Sequence, residues 1–159
     1  MSDDLTLLQR VKAQAEVLVP LIRKLEAEVG AEKIRPILRE ALSEYYRSMA
    51  RTFVEESGGD RMMAFMKFGE FCTSGDPLQV EPRDSPPGRM HMDVVRCDYA
   101  KFFQALGEPE LGFLLVCSGD FPAAEVFGIG LERSQTIMQG ADHCDFRWIL
   151  AEAPADGSD

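Results

Sequence analysis

The apolar residues of the first thirty positions recur at alternating spacings of three and four, which places them along one side of an α-helix. They are Leu8, Val11, Ala15, Leu18, Ile22, Leu25 and Val29. The pattern predicts a helix that begins near Leu5, is capped by Asp3 or Asp4, and ends at Gly30. Pro20 lies inside this stretch and is expected to kink or divide the helix. The stripe can pack against the rest of the chain, or it can also pair with a second copy to form a homodimer through the N-terminal helices.

Two further helices follow in the first half of the chain. One is predicted from about Ala31 to Glu56 and is stopped by the Gly58-Gly59 pair. Its apolar side is predicted to carry Ile34, Ile37, Leu38, Ala41, Tyr45, Met49 and Phe53. The next helix, capped by Asp60 and reaching about Cys72, is rich in Met and Phe. Such a cluster is typical of a core, although Met side chains can also form an adaptable pocket wall.

The remaining elements are predicted to be two pairs of strands separated by two helices. The strands cover Leu78–Pro82, Met90–Arg96, Gly128–Arg133 and Cys144–Leu150. Asp98 is expected to cap a short helix through Ala105. Pro109 is expected to open another helix that runs to about Asp120, before Phe121 and Pro122 interrupt it.

This order of elements predicts an α+β fold. We expect a small, largely antiparallel sheet of about four strands with helices packed on one face, preceded by two long N-terminal helices. Residues 1–150 are expected to form a single domain, with 1–57 as the helical hairpin and 60–150 as the sheet and remaining helices. Residues 151–159 form an acidic tail that is expected to be frayed.

Composition excludes several classes of partner. The formal net charge of −10 over 159 residues argues against nonspecific binding to nucleic acid or to an anionic membrane. The four cysteines stand twenty or more residues apart, without a CxxC or CxxH pair. No segment resembles a signal peptide or reaches the length of an apolar membrane span. These features predict a cytoplasmic protein with reduced thiols.

The final strand pair brings an arginine and a thiol together. Strand alternation places Arg133 on the same side as Ile129 and Leu131, and Cys144 on the same side as Phe146. If both apolar sides face the core, Arg133 and Cys144 meet there. A buried guanidinium needs an anionic partner, and the candidates are Asp120, Asp145 and a carboxylate on a ligand.

Two other thiols have an ambiguous setting. Cys117 and Asp120 are three residues apart on the predicted Pro109 helix, one turn from each other, and either form part of a site or are structural. An aspartate at a helix C-terminus is unfavourable to the helix dipole, so Asp120 needs a compensating partner. Cys97 faces the core only if its strand bulges or ends near Val95.

A metal centre is a further alternative. Cys97, Cys117, Cys144 and Asp120 would make a reasonable zinc or iron ligand set if they met in space. Their spacing neither supports nor excludes it, and no cofactor is predicted.

A resemblance to a known family rests on several short motifs in a fixed order. They are Cys97, Leu106-Gly107, Pro109-Glu110-Leu111-Gly112, Cys117-Ser118-Gly119-Asp120, Arg133, Thr136-Ile137, Gly140 and Cys144-Asp145-Phe146-Arg147. The succession resembles the L-2-amino-thiazoline-4-carboxylic acid hydrolase family. Members named for that activity open a cyclic isothiourea to an N-carbamoyl-cysteine. The layout is also similar to vinyl-reductase-like small-molecule-binding domains.

The resemblance implies a hydrolase acting on a C–N or C–S bond of a small cyclic substrate that carries a carboxylate. It implies roles in two groups of residues. The catalytic residues would be Cys117, Asp120, Cys144 and Asp145. The substrate-binding residues would be Arg133, Thr136, Cys97 and Arg147. The alternative is a sensory domain that binds a small molecule or a metal without catalysis.

Overall fold

The computed structural model describes residues 5–150, so Asp3, Asp4 and the tail 151–159 lie outside the described residues. The first helix, α1, spans Leu7–Val29. Thr6 and Gln9 form a capping box, in which the Thr6 hydroxyl accepts from the Gln9 amide at 3.2 Å and Gln9 Oε1 accepts from the Thr6 amide at 2.9 Å. The helix is not divided at Pro20, which lies on its exposed side. There the carbonyl left without its helical donor can bond to water.

The second helix, α2, covers Ala31–Glu56, as predicted. Its buried side differs from the one expected: the structure buries Tyr46 and Ala50 and leaves Tyr45 largely exposed. The cause is tertiary, because a helix from the second half of the chain packs along this side of α2. The third helix, α3, spans Arg61–Thr73 and is capped by Asp60, as predicted.

The sheet has four strands: β1 (Leu78–Arg83), β2 (Arg89–Cys97), β3 (Gly130–Glu132) and β4 (Cys144–Ile149). Their order is β1-β2-β4-β3, and every neighbouring pair is antiparallel. The α+β prediction is therefore confirmed. The face that looks toward the helices buries Val94 and Cys144. The opposite face carries charge, with Asp93 bonded to Arg83 Nε at 2.6 Å and to Arg147 Nη2 at 2.9 Å.

A β-bulge in β2 sets the direction of Cys97. Val80 pairs with Val94 and Gln79 with Arg96, which leaves Val95 as the extra residue. The bulge reverses the alternation and turns Cys97 to the same side as Val94. Cys97 then caps the next helix, α4 (Asp98–Ala105), because its sulfur accepts from the Ala100 amide at 3.4 Å. The predicted cap, Asp98, is instead in the first turn of this helix.

The predicted helix from Pro109 to Asp120 was wrong. Helix α5 ends at Leu115, a 3₁₀ turn covers Cys117–Gly119, and a new helix, α6, spans Asp120–Phe127. A Cβ atom on Gly119 would lie only 2.4 Å from the Tyr46 ring, so this close approach requires glycine. The Tyr46 hydroxyl also donates to the Leu115 carbonyl at 2.6 Å.

The break places Asp120 at the start of a helix rather than at the end of one. Asp120 lies in the first turn of α6, where a carboxylate is favoured by the helix dipole. Pro122 is tolerated in the same turn, because amides there have no helical partner to lose. Among residues 5–150, no helix is both long and apolar enough to cross a membrane.

Candidate functional site

Arg133 is buried and forms an ion pair with Asp120. Only 3% of the Arg133 side chain is exposed, and its Nη1 donates to Asp120 Oδ2 at 2.5 Å. Its Nη2 donates to the Cys117 carbonyl oxygen at 2.8 Å. Of the two protein carboxylates predicted as partners, the structure selects Asp120. The arginine thus joins the loop after β3 to the break between α5 and α6.

Three aromatic rings surround the same guanidinium. Arg133 Cζ lies 5.1 Å from the ring centroids of Phe121 and Phe146 and 6.0 Å from that of Phe113. Rings at such distances attract a cation through their quadrupoles. The guanidinium is therefore held by contacts with α5, α6 and β4 as well as by its carboxylate.

A small cavity opens beside this ion pair, and we call it the thiol cavity. Its volume is about 90 Å³, and its walls include Asp120, Arg133 and all four cysteines. The cysteines are Cys72, Cys97, Cys117 and Cys144, and none is in a disulfide. Apolar side chains from α1, α2, α3 and the sheet complete the enclosure. Residues as far apart in sequence as Leu7 and Phe146 thus surround one space.

Cys72 is a site residue that the sequence did not identify. It ends the Met-rich helix with no motif around it, and only the packing of α3 against the sheet brings it to the thiol cavity. No local pattern in the sequence carries this information.

Burial keeps the cysteines protonated. Burial raises the pKa of the Cys117 thiol well above its usual range; the charge of Asp120 adds to this, and Arg133 opposes it without cancelling it. Burial likewise raises the pKa of Cys97 to about 11, and it raises the pKa of Cys72 and of Cys144. Since the thiolate is the nucleophilic form, none of these thiols is activated near neutral pH.

Asp120 combines a raised pKa with an available oxygen. Burial raises the pKa of its carboxyl above the usual range, although the Arg133 charge and hydrogen bond oppose the shift. Oδ2 accepts from Arg133, whereas no donor within residues 5–150 reaches Oδ1. The side chain remains 28% exposed and lines the thiol cavity. It can therefore accept a hydrogen bond or a proton there.

Asp145 and Arg147 are not brought to the thiol cavity. Asp145 lies on the opposite face of β4 and accepts from the amides of Ser134 and Gln135 at 3.0 and 2.8 Å, which holds the loop after β3. Burial raises the pKa of Asp145, but the hydrogen bond from the Ser134 hydroxyl and these amide bonds outweigh it and leave the pKa below its usual value. Arg147 donates to Asp93 on the same opposite face. Neither side chain lines the thiol cavity.

Thr136 holds the short turn that contacts Cys144. It is buried, and its hydroxyl accepts from the Gln139 amide at 3.2 Å, which caps the short turn Ile137–Gln139. Gly140 ends that turn with a φ of +97°, a backbone conformation that favours glycine. The Ile137 amide donates to Cys144 Sγ at 3.3 Å. Thr136 therefore positions the loop that contacts Cys144.

A larger cavity, about 540 Å³, lies between α2, α5 and the Ile137–Gln139 turn. It exposes Arg35 and Arg39 but includes neither a cysteine nor Asp120 or Arg133. Arg35 is already paired with Glu26 and Glu110. The acid, the guanidinium and the thiols meet in the smaller cavity.

The metal alternative concerns the same residues. Cys97, Cys117, Cys144 and Asp120 line one cavity. Over the part of the chain from 5 to 150, however, no three His, Cys, Asp or Glu side chains are grouped closely enough to hold a metal ion.

Comparisons with known proteins place the chain in a family. Among curated proteins, no sequence matches it. A solved structure similar to it is described as the crystal structure of the phenol-responsive sensory domain of the transcription activator PoxR with phenol. That match has 16% identity and a TM-score of 0.49 and covers 88% of this chain and 76% of the other. The model of one family matches residues 10–148, which is most of the chain. The chain therefore belongs to the L-2-amino-thiazoline-4-carboxylic acid hydrolase family.

Proposed function

We propose that the chain is a hydrolase that opens a small cyclic amidine or isothiourea acid in the thiol cavity. The observation that carries the proposal is the convergence of Asp120, Arg133 and the four cysteines around one cavity. Family membership supports the same reaction class. The reaction needs a group that accepts a hydrogen bond from the amidinium and a proton from water. In the proposal, Asp120 Oδ1 is that group.

In the proposed mechanism, Asp120 acts as the general base. Its raised pKa brings the carboxyl closer to neutral pH, where a base is most effective. Asp120 accepts a proton as the oxygen of water bonds to the amidine carbon, and the ring C–S bond then breaks. One hydrogen of the water ends on the ring nitrogen and the other on the departing sulfur, so the product is an N-carbamoyl-cysteine.

In the proposed mechanism, Arg133 positions the Asp120 carboxylate. From the sequence we expected it to bind the substrate carboxylate through two hydrogen bonds. One of its Nη atoms instead donates to Asp120 and the other to the Cys117 carbonyl. In the proposal it orients Asp120 and stabilises the charged form of that carboxyl.

A second candidate function is ligand binding without catalysis. The specific observation in its favour is that burial raises the pKa of all four thiols, so that no activated nucleophile faces the thiol cavity. Buried neutral thiols behave as small hydrophobic groups and suit a binding pocket.

The cysteines provide the first test. We expect that replacing Cys97, Cys117 or Cys144 singly by Ser or Ala lowers the turnover of 2-amino-thiazoline-4-carboxylate by less than about tenfold, because water rather than a thiol attacks. Turnover is measured as N-carbamoyl-cysteine by mass spectrometry.

The other outcomes separate the alternatives. A loss of about a thousandfold or more in one folded variant would establish a thiol nucleophile and refute water attack. Thermal stabilisation by the substrate without any product would favour the binding function. If the wild-type chain shows neither product nor stabilisation, both functions are wrong for this substrate.

A further inference from the structure

The thiol cavity is too small to hold a substrate by itself. Its volume is about 90 Å³. An engineered cavity that binds benzene measures about 150 Å³, and an aminothiazoline carboxylate is larger than benzene. Sites for small molecules generally measure about 300–1,000 Å³. A ligand whose polar group reaches Asp120 must therefore extend beyond the thiol cavity.

A second cavity lies beside it and offers that space. We call it the α3 groove, because it lies between α3 and the helix-facing side of β1, β2 and β4, and its volume is about 330 Å³. The α3 groove and the thiol cavity have six wall residues in common: Phe68, Cys72, Leu78, Val94, Asp120 and Phe146. The two spaces are thus adjacent, and Asp120 lies in the wall of both.

The walls of the α3 groove are almost entirely apolar. Aromatic, Met and Val side chains dominate its lining, and two of them, Met66 and Val80, are 54% and 37% exposed. Exposed apolar side chains that gather in a concave surface are typical of a binding site. Met side chains also adapt to ligands of different shape.

Gly69 lines the α3 groove. It lies inside α3, and its φ is not positive, so the backbone does not require glycine. Glycine inside a helix costs about 1 kcal/mol relative to alanine. A Cβ atom at this position would meet nothing within 4 Å, so close packing does not explain the residue either. The space beside it is the groove.

We propose that the α3 groove is the second half of the ligand site and holds an aryl or alkyl group of the substrate. The substrate class is then an amphipathic amidine acid, with its amidine at Asp120 and its apolar part between α3 and the sheet. This inference rests on the proposed function, because it places the polar group in the thiol cavity. It adds a preference for substrates that carry an apolar group, which the thiol cavity alone cannot provide.

The test compares three probes by calorimetry. They are 2-amino-thiazoline-4-carboxylate, its 5-phenyl derivative, and benzamidine, which joins an amidinium to an aromatic ring. Burying a phenyl group in the groove is expected to make the phenyl derivative bind about tenfold to a hundredfold more tightly than the parent. Gly69→Phe should fill the groove, abolish this preference and weaken the binding of benzamidine.

Matched variants control for folding. Gly69→Ala also removes the glycine from the helix, but its methyl group does not fill the groove. This variant should therefore keep the full preference for the phenyl derivative over the parent. Val80→Trp narrows the groove from the sheet side and should act like Gly69→Phe. Circular dichroism and thermal melting establish that each variant is folded.

Three results would overturn the inference: equal affinity of the wild type for parent and phenyl derivative, an unchanged preference in both folded groove variants, or no binding of any probe. Failure of the proposed function looks different. In that case the parent compound is neither bound nor hydrolysed, while benzamidine still binds in a way that Gly69→Phe weakens.

Discussion

Replacing Asp120 by Asn is expected to lower the rate of hydrolysis by about 10²–10⁴-fold, the usual contribution of a general base. Asn keeps the size of the side chain and one oxygen that can accept from Arg133, but it cannot take a proton from water. The measurement is kcat/KM for N-carbamoyl-cysteine release, with thermal melting to establish folding. In the wild type, the raised pKa of Asp120 also predicts that activity is lost on acidification at a pH above the ordinary carboxyl range.

The matched control is Glu125→Gln on the same helix. Glu125 is 63% exposed and pairs with Arg47 on the surface at 2.9 Å, so the same chemical change is made away from the thiol cavity. We expect its kcat/KM to stay within about twofold of the wild type, because exposed ion pairs contribute little. An Asp120→Asn variant within tenfold of the wild-type rate, with the same acid limb, would contradict the assignment of the base.

Replacing Arg133 by Met is expected to destabilise the fold by about 3–5 kcal/mol, because it removes a buried guanidinium and leaves the half-buried Asp120 carboxylate without its counterion. Arg133 is 3% exposed and also satisfies the Cys117 carbonyl. Urea unfolding measures the loss as a lower midpoint at an unchanged m-value.

The loss should depend on pH in a definite direction. Arg133 lowers the pKa of Asp120, so its removal leaves the folded-state pKa even further above the unfolded value of about 3.9. The folded state then holds the proton more tightly than the unfolded chain does. The stability of the variant therefore falls as the pH rises from about 4 through the folded pKa, and its deficit shrinks in acid.

Two further variants test whether the unpaired Asp120 carboxylate causes the loss of stability in Arg133→Met. Asp120→Asn combined with Arg133→Met removes the uncompensated charge and should recover part of the lost stability. Arg147→Met removes an arginine from Asp93 on the opposite face of the sheet, where Arg83 still pairs with that carboxylate, so its cost should be smaller. A deficit below about 1 kcal/mol for Arg133→Met, or no recovery in the double variant, would contradict a buried ion pair.

The parts of the site that follow strand alternation could be predicted from the sequence. The two-residue period placed Arg133 and Cys144 on the helix-facing side of the sheet, where the structure has them. The same period separates Asp145 and Arg147 from Cys144. The family resemblance gave both residues a role in the site, and the sequence also offered Asp145 as a partner of Arg133. Cys97 depended on a bulge near Val95, which the register of β1 and β2 contains.

The parts that depend on packing could not be predicted. The helix that begins at Pro109 ends at Leu115, and in the turn that follows the Tyr46 ring packs against Gly119, a contact between residues 73 positions apart. That break places Asp120 at the start of a helix instead of at its end. The helix dipole then favours the carboxylate, whereas at a helix C-terminus it would be unfavourable. Cys72 reaches the thiol cavity only through the packing of α3. The raised pKa of each thiol likewise reflects burial, which no local pattern reveals.

The most direct test of the central claim is a crystal structure of the chain grown with 2-amino-thiazoline-4-carboxylate. The claim is that Asp120, Arg133 and the cysteines form one ligand site. We predict that the ligand or its product lies in the thiol cavity, with a nitrogen within hydrogen-bond distance of Asp120 Oδ1 and the rest directed toward the α3 groove. A ligand bound instead beside Arg35 and Arg39 in the larger cavity, with the thiol cavity empty, would contradict the claim.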